Sequence, residues 1–303
     1  MKSDLKQAAG YGLIVLASCF FGGSASLGKS IMQAGVSTIM LMEIRSVVTS
    51  ATLLPLLLLI GRRHLEIKIT DLPQFLLLAI PGLAIVNASY YYALSRLSIA
   101  LAVFIQFTAP VLILLFGLFS GKEKPTRAKL FALLLSLAGT YMMVQLYKSQ
   151  SESVPWAGLI SAVVATLSFA FYVILSHRMG KKHSSWTLVF YGYTIAALFW
   201  CVIQNPVDTW RQVSESHLWG KAVLFAVCST LIPFAIFLSG LRRVTPTGGA
   251  IASTSETVTA SIFAFIVLGE TLTGGQILGA ALILSAILIL ILQSKEPPVL
   301  EEV

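Results

Sequence analysis

Charged residues fall in short clusters along the chain, and between them lie ten mostly apolar stretches of about 20 residues, the length that carries an α-helix across a bilayer core. They run 11–31, 38–60, 72–94, 99–119 and 128–146, then 156–176, 186–204, 218–241, 247–268 and 277–292. Turn and charge signals close several of them: Gly61-Arg62-Arg63, Gly121-Lys122, Gly180-Lys181-Lys182 and Arg242-Arg243. Runs of this length predict helices rather than barrel strands, which need only about 9–11 residues. The predicted fold is an all-α integral membrane protein with ten transmembrane helices.

The pattern repeats. Shifted on itself by 147 residues, the chain pairs Leu94 with Leu241, Arg96 with Arg243, Val111 with Val258, Phe116 with Phe263, Glu123 with Glu270 and Thr126 with Thr273, without a gap. The predicted division is a first five-helix repeat over 1–149, a second over 150–293 and a cytoplasmic tail over 294–303. Five spans per half is an odd number, so the halves enter the membrane from opposite sides, the inverted-topology arrangement that builds alternating-access transporters. Glu123 and Glu270 then face opposite sides.

Composition agrees. Of 303 residues 56% are apolar and 11% charged, against about 45–50% and about 25% in soluble domains, which excludes a water-soluble globule and leaves no room for a separate soluble domain. The net charge of +8 would suit nucleic acid only if gathered on one solvated face, and here it is scattered through short loops. With the amino terminus in the cytoplasm, that side holds 15 of the 21 basic residues: Lys2, Lys6, Arg62, Arg63, Lys68, Lys122, Lys124, Arg127, Lys129, Arg178, Lys181, Lys182, Arg242, Arg243 and Lys295. Both termini are therefore predicted cytoplasmic. Cys19, Cys201 and Cys228 all sit in apolar runs, with no spacing for a disulfide framework or a zinc site.

Two local motifs fail in their context. Residues 23–30, GSASLGKS, match the phosphate-binding loop G-x-x-x-x-G-K-[ST], but no strand precedes them and no acid is placed for magnesium. Gly22, Gly23, Ser24, Ala25, Ser26 and Gly28 read instead as a small-residue face for close helix approach. Residues 16–19, LASC, mimic a lipoprotein signal, but cleavage before Cys19 would destroy the match of five spans to five, so the first span is expected to stay.

Glu256 carries the most information, because an ionised acid near the middle of a span costs at least about 2.5 kcal/mol. Ser253, Thr254, Ser255, Thr257 and Thr259 surround it with hydroxyls, and it reads as a proton-exchanging or substrate-contacting acid in a central cavity. Gln106 and Thr108, before Pro110, take the repeat positions of Ser253 and Ser255, so both halves bring polar groups to the same depth. Asn87, Tyr90, Tyr91, Tyr92, Ser229 and Thr230 complete a mixed aromatic and polar wall in this reading. The candidate substrate or coupling residues are thus Glu256, Gln106, Thr108, Asn87, Tyr91, Ser253 and Ser255.

Glu43 and Arg45, two apart, point to different helix faces and cannot pair; Arg45 is open to snorkelling outward or to reaching Glu256. Pro55, Pro81, Pro110 and Pro233 each remove a backbone donor inside a span. Thr273-Gly-Gly-Gln276 fits a capping box, and Gly275-x-x-x-Gly279 would seat a helix of this chain or of a second copy.

The text FTAPVLILLFGLFSGKEKPTRAKLFALLLSLAGTYMM in the first half and TSETVTASIFAFIVLGETLTGGQILGAALILSAIL in the second resembles the ten-span drug/metabolite transporter superfamily, specifically its EamA-type members. The L-G-E-x-L-T-x-x-Q-x-x-G ending is the specific part, and Phe20-Phe21-Gly22 and Leu167-Ser168-Phe169-Ala170 resemble the openings of the two halves. Where the family often reads Glu-Pro-Val, this chain has Glu256-Thr257-Val258, matching the acid and not the proline. The resemblance implies a bacterial inner-membrane carrier of small metabolites, with a cavity lined by the third, fourth, eighth and ninth helices, and no single substrate.

The combined reading is a secondary transporter moving a small organic, amino-acid-like metabolite by alternating access, as an exporter. Its partners are the solute and the lipid bilayer. It needs no cofactor, metal or nucleic acid, while proton coupling and a homodimer stay open. A non-transporting sensor or assembly subunit would not need an inverted repeat or a mid-membrane acid. A membrane-embedded enzyme lacks its motifs: neither H-E-x-x-H nor G-x-S-x-G occurs, and His64, His177, His183 and His217 all lie near loops.

Overall fold

A computed structural model describes residues 2–146, 155–268 and 271–293. In the first half α1 is Lys2–Gln33, α2 is Thr38–Ile60, and α3 runs Leu72–Leu77, through a π-helical turn at Leu78–Ala84, into Ile85–Arg96. The helix α4 is broken into Ile99–Gln106 and Ala109–Phe119, and α5 is Arg127–Met143. In the second half α6 is Trp156–Gly180 and α7 is Ser185–Ile203; α8 runs Trp219–Ala226, a π-helical turn at Val227–Leu231, then Ile232–Leu241. The helix α9 is broken into Pro246–Ser253 and Ser255–Leu268, and α10 is Gly274–Leu292. Among the described residues nine of these are long and apolar enough to cross a membrane. The tenth, α5, has 17 residues and reaches about 26 Å at about 1.5 Å per residue.

The duplication is written in the helix starts. Ser37 and Ser184 cap α2 and α7, Ser98 and Thr245 cap α4 and α9, and Thr126 and Thr273 cap α5 and α10; each accepts a hydrogen bond from the backbone N–H three residues on, and each pair is 147 apart. The packing follows. The helix α1 packs on α8 and α9, and α6 packs on α3 and α4, while α2 packs on α7 and α5 on α10. Exchanging the halves maps this set onto itself.

Small residues set the closest approaches. A Cβ on Gly10 would lie 2.8 Å from Arg243 and Val244, and one on Gly158 2.8 Å from Leu97 and 3.0 Å from Arg96, which are the repeat partners of those two residues. Between α5 and α10 a Cβ on Gly139 would lie 2.7 Å from the Gly279 carbonyl oxygen, and one on Gly279 2.7 Å from that of Gly139. The helix that Gly279 seats therefore belongs to this chain. Gly22 meets the α9 backbone at Glu256 and Ala260, Gly23 meets Phe263 and Gly28 meets Phe225. The 23–30 segment is unbroken α1 helix, without the strand and loop that phosphate binding needs.

Several expectations need amending. The helix α1 starts at Lys2, not near residue 11. A short amphipathic helix, Pro206–Glu215, occupies what reads as a loop; Asn205 caps it, Thr209 and Val213 are buried, and Trp210 is exposed. Of the four prolines, Pro81 sits in a π-helical turn, Pro110 and Pro233 open the second pieces of α4 and α8, and Pro55 lies in an unbroken α2. The capping box at Thr273 is formed. Glu270 and the 294–303 tail lie outside the described residues.

Candidate functional site

Even numbers of crossings bring the start of α1 and the end of α10 to one side, here the termini face; the other side is the far face. At mid-depth α4 breaks at Phe107-Thr108 and α9 at Thr254, positions related by the same 147-residue shift. At Thr254 the backbone turns tighter, its N–H bonding Ile251 three residues back at 3.1 Å. This break forms without the proline that the family often carries nearby.

Beyond the breaks the symmetry fails. The termini-face pieces Ala109–Phe119 and Pro246–Ser253 pack on each other. Among the described residues, comparable packing is missing between the far-face pieces Ile99–Gln106 and Ser255–Leu268. The two helices thus form a wedge, closed toward the termini and splayed toward the far face. Glu256 and Gln106 sit at its apex, both partly exposed. Along the splayed piece, Ala260, Ser261, Ala264, Leu272 and Gln276 border a cavity of about 190 Å³.

The closed end is held by polar contacts between loops of the two halves. Thr247 Oγ1 donates to Glu123 Oε2 at 2.8 Å, and Lys129 Nζ lies 3.2 Å from Glu123 Oε1. The buried Asp71 accepts from Lys182 Nζ at 2.5 Å and faces His183 Nε2 at 3.3 Å. Burial holds the His183 imidazole below its ordinary pKa, against the pull of Asp71. His64 bonds Ser184 Oγ at 2.8 Å, and Thr187 Oγ1 donates to the His64 carbonyl at 3.0 Å.

The candidate residues separate into groups. The Glu256 carboxyl has no hydrogen-bond partner among the described residues and stands within electrostatic reach of Tyr90 and Tyr91. Ser253, Ser255 and Thr257 do not serve it, because each hydroxyl donates to a carbonyl of its own helix three residues back. Thr108 does the same to Ile105 at 2.6 Å. Gln106 Oε1 is buried without a partner. Tyr92 turns outward, 42% exposed, with the Arg96 guanidinium 5.4 Å over its ring, and leaves the expected wall.

Arg45 neither snorkels outward nor reaches Glu256. Its Nε donates to Thr230 Oγ1 at 2.9 Å, its Nη1 to Asn87 Oδ1 at 2.9 Å and its Nη2 to the Ser229 carbonyl at 3.4 Å. The Phe225 ring lies 5.6 Å from it. Asn87 in turn donates to the Leu83 carbonyl at 2.6 Å. Glu43 faces elsewhere, accepting from Thr209 of the short amphipathic helix at 2.5 Å. The sequence reading missed Tyr193 and Phe225 beside Arg45, and Asp71 with His183 at the closed end. A lone acid before a span was the available signal for the last pair.

Comparison with known proteins adds the family. The model of the EamA-like transporter family matches twice, over residues 8–145 and 156–292. An uncharacterized transporter of Archaeoglobus fulgidus is 32% identical over 69% of this chain and 74% of its own length. The uncharacterized inner membrane transporter YicL of Salmonella typhimurium is 23% identical over 93% of this chain and 95% of its own. The threonine/homoserine exporter RhtA of Escherichia coli is 28% identical over 66% of this chain and 65% of its own. One crystal structure superposes with a TM-score of 0.73 at 18% identity, covering 94% of this chain and 97% of that one, a likeness of fold.

Proposed function

The chain belongs to the EamA-like transporter family, and from that premise we propose that it is a secondary carrier exporting a small amino-acid-like metabolite across a bacterial inner membrane by alternating access. The observation that carries the reading is the broken symmetry of α4 and α9. Two halves of like build and opposite entry admit two equivalent closures, one at each face, and only one is made in this conformation. Exchanging the packing of the two broken helices converts one closure into the other and moves the apex residues from one side to the other.

The site in this reading comprises Glu256 and Gln106 at the apex, with Asn87 and Tyr91 on α3; Thr108, Ser253 and Ser255 shape the helix breaks through their backbone bonds. Both termini face the cytoplasm, from the distribution of basic residues, so the splayed wedge opens outward. Amino-acid-like solutes are supported by the name of the exporter RhtA, similar over two thirds of this chain. Glu256, lacking a hydrogen-bond partner, is the proton-exchanging group.

The test is counterflow into liposomes containing only this protein. Radiolabelled L-threonine and L-homoserine accumulate against a preloaded pool if the reading holds. No exchange across a broad metabolite panel returns the chain to a sensor or assembly role. In the same vesicles Glu256→Gln leaves exchange measurable but flattens its pH profile; an unchanged profile removes Glu256 from coupling.

A further inference from the structure

Arg45 is a buried charge that the carrier scheme above does not use. It lies about two turns into α2 from the far face, 4% exposed, and no carboxylate among the described residues comes within 4 Å of its guanidinium. A buried guanidinium without a counter-ion is costly in a membrane protein and persists where a ligand or partner supplies the charge. Its surroundings are polar and neutral: Thr230, Asn87 and the Ser229 carbonyl accept one hydrogen bond each. Five N–H donors minus these three leaves two unspent.

A second group points to the same place. Tyr193 of α7 is 2% exposed, and its hydroxyl is buried without a hydrogen-bond partner. It stands within electrostatic reach of Arg45 and beside Thr230. Two unspent guanidinium N–H groups and an unspent phenol O–H, with no described carboxylate within 4 Å of the guanidinium, match the acceptor set of one carboxylate. Tyr91 lies within electrostatic reach of both Arg45 and Glu256, so the cation and the acid flank one aromatic side chain.

The repeat shows that the fold does not require this arrangement. The 147-residue shift puts Gly192 opposite Arg45 and Leu83 opposite Thr230, and there the contact is apolar: a Cβ on Gly192 would lie 2.8 Å from Leu83 Cδ1. At that position in the other half the contact is thus between apolar atoms.

We propose that Arg45, with Tyr193, is the anchor for the carboxylate of the transported solute and that Glu256 takes its ammonium group, which makes the carrier selective for zwitterionic amino acids. This rests on the carrier reading above. In the loaded carrier the solute carboxylate accepts from the guanidinium N–H groups that Thr230, Asn87 and the Ser229 carbonyl leave unspent. Arg45 is then a specificity-determining residue, and an analogue that keeps the ammonium group but lacks the carboxylate leaves its charge unpaired.

The experiment compares L-threonine with L-threoninol, which replaces the carboxylate by a hydroxymethyl group, in counterflow with purified protein in liposomes. Wild type is expected to favour threonine by about 10–100-fold, the range of a charge-assisted hydrogen-bonded pair. Arg45→Gln is expected to collapse that ratio toward one, and Asn87→Asp, which places a fixed carboxylate beside Arg45, to weaken threonine binding while raising the thermal midpoint. A merely structural Arg45 would lower both fluxes in proportion and leave the ratio unchanged, and that result overturns the proposal. Should Arg45→Gln not fold, wild type decides alone: equal exchange of threonine and threoninol refutes the anchor while sustaining the carrier. Exchange of neither compound, nor of any panel member, refutes the carrier reading and the anchor with it.

Discussion

Arg45 and Gly192 occupy one position in the two halves, and the difference between them separates scaffold from site. Features that recur after 147 residues are those that build helices: the six capping Ser and Thr residues and the broken α4 and α9. Several polar or charged features of the interior and the closed end do not recur. Glu256 is matched by Ala109, Asp71 by Leu218 and Asn87 by Phe234. Burying a charge costs free energy that the fold does not recover from packing. Such residues therefore mark where the two copies have been put to different use.

The comparison breaks most violently if the charge is moved to the wrong copy. Gly192→Arg would press a long cationic side chain against Leu83, whose Cδ1 lies 2.8 Å from where the new Cβ would stand. A loss of about 3–5 kcal/mol is expected for an uncompensated buried charge, read as absence of folded, monodisperse protein in detergent. Next in size is the seam that both halves share. Gly139→Val and Gly279→Val each drive a Cβ onto the opposing backbone oxygen, and each is expected to cost about 1–3 kcal/mol in thermal unfolding. The two should agree, since the seam is reciprocal; a large disparity would show that the halves are not equivalent there.

Smaller effects sharpen the same point. Thr126→Ala and Thr273→Ala remove equivalent caps and should each cost about 1 kcal/mol. The two costs should be similar, because each hydroxyl makes one bond besides the cap, Thr126 accepting from Gln293 Nε2 at 2.6 Å and Thr273 donating to Gln276 Oε1 at 3.1 Å. The smallest effect is a pH step at the closed end, where Asp71 and His183 have no counterpart in the mirrored loops. Burial holds the folded His183 below the ordinary value of 6.5, so on acidification the unfolded chain takes up the proton first. Its contribution is therefore present above pH 6.5 and lost as the pH falls below it. Thermal midpoints measured from pH 8 to 5 should show this step in wild type and not in His183→Gln.

Much of the fold was legible because its signals are local or periodic. Apolar runs report bilayer thickness, Gly and basic clusters report where helices stop, and Glu123 with Glu270 or Thr126 with Thr273 report the duplication. Glu256 stood out because an acid inside a span has few innocent explanations. Its hydroxyl neighbours were misread: Ser253, Ser255 and Thr257 have a nearer acceptor in their own helix turn, and composition alone does not choose between that and a neighbouring acid. The short helix after Asn205 was missed although Asn-Pro announces a helix start, because its amphipathic pattern has no apolar run to flag it.

By itself the amino-acid order determined the ten apolar spans, their opposite threading and the residues too costly to be idle, since each depends on transfer free energies and on spacing along one chain. Tertiary structure alone decided which of those residues meet. That Arg45 turns to Asn87 and Thr230 rather than to Glu256, and that α4 and α9 close at one face only, are outcomes of packing between helices far apart in sequence. There a rotation of a few tens of degrees about a helix axis exchanges one polar partner for another without altering any pattern along the chain.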